Sequence, residues 1–231
     1  MRLREIYRQQ PETYDSLVSH EDFRGQLLPT LQEITPLRNK TIAEFGAGTG
    51  RITRLLTLQA KQVIAADQSS PMLQVARERL AETGAENWSL VTADHREMPL
   101  PSASVELAIA GWTFGSFVDE DPLNWLQSLR TAIAEVQRIL QPGGTCIIIE
   151  TLGTCERFPS PPNRHLADYY HWLESEKGFQ HRWIRTDYQF SDSCEASELI
   201  GFFFGEELAK RVTANQQVIV PECTGIWWRS W

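Results

Sequence analysis

Between Thr41 and Glu150 the chain alternates short apolar runs with longer amphipathic stretches. The runs are Thr41–Phe45, Gln62–Asp67, Trp88–Asp94, Val105–Gly111 and Thr145–Glu150, and each is apolar on both faces, as buried parallel strands are. The stretches between them carry helical periodicity. One runs from about Gly50 through Leu58, with Ile52, Leu55 and Leu56 facing inward. A second starts at Ser70-Pro71, with Ser70 as N-cap and Pro71 at the first helical position, and stops at Gly84. A third opens at Asp121-Pro122, keeps Leu126, Leu129, Ile133, Val136 and Leu140 on one face, and ends at Pro142-Gly143-Gly144. Strands alternating with helices predict an α/β fold with right-handed crossovers, a doubly wound, Rossmann-like sheet with helices on both faces.

The pattern is looser on either side. Residues up to about Leu37 read as helix interrupted by Pro11, Gly25, Pro29 and Pro36, either a lid over the strand ends or helices packed on the outside of the sheet. After Glu150, Thr151–Pro162 reads as loop and Asn163–Glu176 as an inserted helix rich in aromatics and histidine. Gln180–Phe190 reads as a strand, Ser191–Val212 as a helix capped by Ser191 or Ser193, and Val218–Trp231 as a last strand with Pro221 as a bulge or edge feature. This terminal pair is expected at the sheet edge, antiparallel. The expectation is one domain over 1–231: an N-terminal helical lid at 1–37, a core at 38–151, an inserted cap at 152–179, and C-terminal strands and helix at 180–231. Trp227, Trp228 and Trp231 are expected to pack at the sheet edge or in a dimer contact, which leaves monomer and homodimer both open.

Composition narrows the class. A chain of 231 residues, 42% hydrophobic and 23% charged, has the makeup of a soluble globular protein. A net charge of -8 argues against a nucleic-acid partner, which calls for a basic surface. Cys146, Cys155, Cys194 and Cys223 are widely spaced, so no disulfide framework or metal-ligand set is assigned and a reducing, cytoplasmic setting is expected. The stretch M-R-L-R-E-I-Y-R-Q-Q-P is too polar for a signal peptide, and no apolar run is long enough to span a membrane.

The candidate chemistry lies at Thr41–Gly50, T-I-A-E-F-G-A-G-T-G. Strand, glycine turn and helix hold an adenosine-type cofactor at a strand's carboxyl end. A dinucleotide site calls for G-x-G-x-x-G. Here the period is G-x-G-x-G through Gly46, Gly48 and Gly50, with Arg51 where the last glycine would stand. Glu44, two residues before the first glycine, would repel a pyrophosphate and suits a ligand carrying an ammonium group. Asp67, about twenty residues on, is placed to accept from ribose hydroxyls. Asp94 is placed to accept from an adenine amine.

With these residues the chain resembles the class I S-adenosylmethionine-dependent methyltransferases. The matching residues are E-F-G-A-G-T-G (Glu44–Gly50), Asp67, Ala93-Asp94, the run into Gly111-Trp112, and L-Q-P-G-G-T (Leu140–Thr145). The resemblance implies a seven-stranded sheet of order 3-2-1-4-5-7-6 with strand seven antiparallel, and S-adenosyl-L-methionine as cofactor. It implies that Gly46, Ala47, Gly48 and Gly50 cradle the methionine part and Asp67 the ribose. Gln68 and Met72 would flank the adenine, Ala93, Asp94 and His95 would meet its edge, and Ala110 and Trp112 would meet the amino-acid end.

Methyl transfer from a sulfonium needs mainly alignment, and a base only if the acceptor loses a proton. The chain has no N-P-P-Y-like motif after the fourth strand; G-W-T-F-G-S-F stands there. Trp112, Phe114 and Phe117 are therefore expected to line an apolar or aromatic acceptor pocket. Tyr14, Glu150, His165 and Tyr169 are candidate bases or clamps, with none assigned as catalytic. The reading is a transferase acting on a small-molecule acceptor. The alternatives are a protein or RNA acceptor, and a non-catalytic S-adenosylmethionine-binding protein.

Overall fold

The structure is a computed structural model and describes residues 3–231; Met1 and Arg2, at the head of the expected lid and polar N-terminus, lie outside the described residues. The helices α1 (Leu3–Gln9), α2 (Pro11–Ser19) and α3 (Leu27–Ile34) precede the first strand. The alternating region follows as β1 (Thr41–Phe45), α4 (Arg51–Thr57), β2 (Gln62–Asp67), α5 (Ser70–Ala81), β3 (Trp88–Thr92), β4 (Val105–Gly111), α6 (Gly115–Glu120), α7 (Trp125–Ile139) and β5 (Leu140–Thr154). Then come α8 (Arg164–Ser175), β6 (Gln180–Arg185), β7 (Tyr188–Gln189), α9 (Ser193–Phe204), α10 (Glu206–Ala214), β8 (Ile219–Val220) and β9 (Glu222–Ser230).

Seven strands form one sheet in the order β3-β2-β1-β4-β5-β9-β6, parallel up to β5, with β9 antiparallel to both β5 and β6. Counting only strands of this sheet, the order is the expected 3-2-1-4-5-7-6. Alternate residues feed two cores, as the strand period of two requires. In β4 and β5, Ala108, Ala110, Cys146 and Ile148 face the layer with α7 and α8; Leu107, Ile109, Ile147 and Ile149 face the layer with α3 and α4. A third cluster joins Leu17 of α2 to Tyr188, Phe190, Leu199, Ile200 and Val212 beyond the sheet.

Several boundaries differ from the sequence reading, each for a local reason. The N-cap of α5 is Ser69, not Ser70, because Asp67 draws the Ser69 N–H to its Oδ1 at 2.7 Å. α9 is capped by Asp192, which accepts from the Cys194 and Glu195 N–H groups, and not by either serine. The expected single helix over 191–212 is broken at Gly205, whose φ of +96° no helical residue adopts. The expected strand over 180–190 stops at Arg185. There Thr186 turns its hydroxyl inward to Glu21 at 3.0 Å. α7 starts at Trp125, with α6 inserted before it. β3 ends at Thr92, and Asp94 sits past it in an isolated bridge to Glu97. Trp227 is fully buried, stacked on Tyr170 and His181, so it is interior packing and not an edge. The cysteines are all free. Among the described residues no helix is long and apolar enough to cross a membrane.

Candidate active site

β1 pairs with β4 so that Phe45 lies opposite Ala110, which brings Gly46 and the residues after Gly111 together at the carboxyl ends of the strands. The chain turns there through Gly46, with φ +72°. A Cβ on Gly46 would stand 1.8 Å from Thr113 Oγ1, so only glycine fits. The Thr113 hydroxyl lies 2.9 Å from the Gly111 carbonyl and 3.1 Å from the Phe45 carbonyl, joining the two strand ends. Gly50, also left-handed, starts α4, and Ala47 is buried under the turn.

Beside this turn lies a cavity of about 490 Å³. Gly46, Gly48, Asp67, Gln68, Met72, His95 and Trp112 all line it. The Asp67 carboxylate accepts from Gly48 N–H at 2.9 Å through Oδ2, and from Ser69 N–H through Oδ1. It thereby braces the turn, while each oxygen keeps a second lone pair. His95 is 7% exposed, packed among Phe45, Phe114 and Phe117, and its Nδ1 has no hydrogen-bond partner. Burial lowers its pKa, so the imidazole is held neutral.

Other expected residues stand elsewhere. Glu44 does not reach the cavity. It is 1% exposed, takes the Thr53 hydroxyl on Oε2 at 2.6 Å, and burial pushes its pKa up to about 8. A carboxyl protonated at neutral pH beneath α4 offers no charge to an ammonium group. Asp94 also lies outside the lining. Arg96 grips both its oxygens, at 2.9 and 2.6 Å, and holds its pKa down at about 2. Ala93 and Ala110 are buried in the strand ends and support the wall from behind. Phe114 is wholly buried, and Phe117 lines the cofactor-side cavity, so of the three aromatics expected in an acceptor pocket only Trp112 faces one.

A second cavity of about 510 Å³ adjoins the first and shares Tyr7, Tyr14, Trp112 and Ser116 with it. Trp112 therefore stands at the junction. Its φ of +49° is unusual for a bulky residue, and its N–H donates to the Ile149 carbonyl at 2.6 Å. The Arg51 guanidinium lies over its ring at 4.0 Å. Tyr14, Tyr7 and Phe203 form an aromatic roof, with Tyr14 5.3 Å from each of the other two. Burial raises the Tyr14 hydroxyl to about 12, so it is a hydrogen-bond donor and not a phenolate. Glu150 lines this cavity and accepts the Gly115 N–H at 2.8 Å. Tyr169 is fully buried behind it; burial, with the Glu150 carboxyl beside it, raises its pKa well above the ordinary value. His165 is exposed on α8 and faces neither cavity.

The sequence reading missed the charged group in this cavity. Glu21 pairs with Arg51 at 2.6 Å and also takes the hydroxyls of Thr186 and Tyr188. Glu222 lies nearby, 1% exposed, with Thr151 Oγ1 donating to its Oε1 at 2.7 Å. The available signals were slight: an acid opening the last strand, and an arginine directly after the glycine run.

Bare backbone at Gly46 and Gly48, a carboxylate with lone pairs to spare and an unpartnered buried imidazole nitrogen together fit a nucleoside-bearing cofactor. Residues 43–148 match a family model described as a methyltransferase domain. The chain is 30% identical over 149 residues to the malonyl-[acyl-carrier protein] O-methyltransferase of Xylella fastidiosa, which covers 62% of this chain and 45% of that protein. It is 29% identical over 133 residues to the demethylmenaquinone methyltransferase of Clavibacter sepedonicus, covering 58% and 47%. The chain thus spans about half the length of these relatives. In fold it is similar to the YcgJ protein of Bacillus subtilis, with a TM-score of 0.61 at 15% identity over 88% of this chain and 96% of that one. Residues 43–148 are thus similar in sequence to methyltransferase domains, and the chain shares its fold with the YcgJ protein.

Proposed function

We propose that the protein transfers a methyl group from S-adenosylmethionine to a small-molecule acceptor. When bound, the cofactor supplies a methyl made electrophilic by its sulfonium, and displacement in line with the sulfur needs chiefly alignment. The Gly46–Gly48 backbone and Thr113 would seat the amino-acid portion, Asp67 the ribose hydroxyls, and His95 Nδ1 the edge of the adenine between Met72 and Phe117. Trp112 and Tyr14 would position the acceptor, because they stand where the two cavities meet. That meeting is the observation that carries the reading: a cofactor-sized cavity opens directly onto a second one of about 510 Å³, within the usual range for small ligands.

The relatives' names, with malonyl-[acyl-carrier protein] and demethylmenaquinone as acceptors, support low-molecular-weight or carrier-borne substrates. The second cavity is lined by more carboxyls than guanidiniums, which counts against an RNA acceptor. Incubation with methyl-labelled S-adenosylmethionine and a library of small amines, phenols and acids tests this. Label is expected in a small product read by mass spectrometry. Label found only in added RNA, or on the amino-acid side chains of added protein, would overturn the acceptor class.

A further inference from the structure

We propose that Glu222 recognises the acceptor, and that the acceptor is an amine on an apolar or aromatic body. This deepens the methyltransferase reading and rests on it. Glu222 opens β9 opposite Thr154 of β5. Its N–H donates to Asp187 Oδ1 at 3.0 Å and its Oε1 accepts from Thr151 at 2.7 Å, so the side chain is fixed at the cavity wall. Oε2 is buried and has no hydrogen-bond partner, while the Thr154 side chain lies close enough to the carboxyl to favour its charged form. A buried carboxyl oxygen left without a partner is costly, and a ligand N–H would remove that cost.

The charge around the cavity selects the sign of the ligand. Its charged lining groups are Glu21, Glu150, Glu156 and Glu222 against Arg51 and Arg211. Both guanidiniums are engaged: Arg51 holds Glu21, and Arg211 holds Glu156 at 3.0 Å together with the Cys155 carbonyl. Among the described residues, a carboxylate or phosphate acceptor would thus meet no lining cation that lacks a carboxylate partner. An amine meets Glu222 and the faces of Tyr14, Phe203 and Trp112.

The groups around Glu222 include Thr151 and Thr154 from β5, Glu21 from the segment after α2, Arg51 from α4, Tyr188 from β7, the Cys155 and Cys223 thiols, and Asp187, which Arg185 holds. Burial, with Glu21 close by, outweighs Arg51 and raises its pKa to about 8. Glu222 is then mostly protonated at neutral pH, and an arriving ammonium group releases that proton.

The test is calorimetry on the protein saturated with S-adenosylhomocysteine, using phenethylamine, phenethyl alcohol and phenylacetate as probes of one shape. Phenethylamine is expected to bind best, with a heat that varies with the buffer's ionisation enthalpy as a proton leaves. Glu222→Gln is expected to weaken it about ten- to hundredfold, the worth of a hydrogen bond to a charged group. An unchanged melting transition and unchanged S-adenosylhomocysteine affinity in that variant establish its fold; if it fails, Glu222→Asp, which keeps the charge on a shorter stem, takes its place. Phenylacetate binding as tightly as the amine overturns the proposal, as does alcohol binding equal to amine, or amine affinity indifferent to residue 222. If S-adenosylhomocysteine binds and the amine does not, this inference falls alone. If the cofactor product does not bind but the amine does, in a Glu222-dependent way, the methyltransferase reading falls and the amine site stands.

Discussion

Glu21 and Arg51 form an ion pair at 2.6 Å in which the Glu21 side chain is only 3% exposed. The pair joins the segment after α2 to the first residue of α4, directly behind the glycine turn. It thereby ties the N-terminal helices to the element that shapes the cofactor-side cavity. Arg79 with Asp15 at 2.7 Å and Arg4 with Glu120 at 2.5 Å make two further ties, but these arginines are more exposed and worth less.

Glu21→Ala leaves a buried guanidinium without its carboxylate. The expected loss is about 3–5 kcal/mol of folding stability, measured by urea unfolding. Replacing both partners at once, Glu21→Leu with Arg51→Met, is expected to recover most of that, because no buried charge is stranded. A single substitution costing nothing would show that the pair does not bind the N-terminal segment to the core.

Gly46→Ala puts a methyl on Thr113 at a left-handed backbone position. Overpacking and the φ penalty together give an expected loss of roughly 2–4 kcal/mol. Pairing it with Thr113→Gly, which removes the Oγ1, Cγ2 and Cβ atoms that the methyl would meet, is expected to return the packing part and leave the backbone part. Thermal unfolding of the two variants separates them.

Asp67→Ala removes the acceptor of two backbone N–H groups and the proposed ribose contact. S-adenosylhomocysteine affinity is expected to fall by about 1.5–3 kcal/mol. Asp67→Asn keeps an oxygen for one of the two turn N–H groups and sets its NH2 against the other, so a loss of affinity larger than the accompanying loss of folding stability assigns the effect to the ligand. Unchanged affinity in both variants removes Asp67 from the cofactor site.

Glu44 and Glu222 both have folded-state pKa values near 8, raised by burial from an ordinary 4.5. The folded protein therefore binds more protons than the unfolded chain between these values. Stability from these groups is full below about pH 4.5 and is lost as pH rises toward 8, by up to about 1.4 kcal/mol per pH unit for each carboxyl. Glu44→Gln, which keeps an oxygen for the Thr53 hydroxyl, is expected to flatten the slope between about pH 5 and 8. Urea midpoints across that range check it; a Glu44→Gln slope equal to the wild type's contradicts the raised pKa of Glu44.

The sheet was legible because burial on both faces leaves its mark in every residue of a strand. β1, β2 and β4 begin and end where the apolar runs do, and the helix at α8 begins at the Asn163 cap that opens its aromatic stretch. The parts that escaped depend on single side chains reaching across the fold. α6 is six residues long and starts at a glycine, too short for a periodicity. Asp94 looked free in sequence because its partner Arg96, two residues away, can close on it only through the turn after β3. Glu44 looked like a ligand group because its burial against Thr53 depends on the packing of α4. The Glu21, Arg51 and Glu222 cluster gathers residues from the N-terminal segment, the first helix of the core and the last strand, and no local pattern links them.

Calorimetric titration of the purified protein with S-adenosylhomocysteine tests the central claim most directly. Saturable binding with an affinity in the micromolar range, reduced in Asp67→Asn and in His95→Leu, is the expected result. No saturable heat at any accessible concentration, or binding indifferent to both residues, would contradict a cofactor site at the Gly46–Gly50 turn.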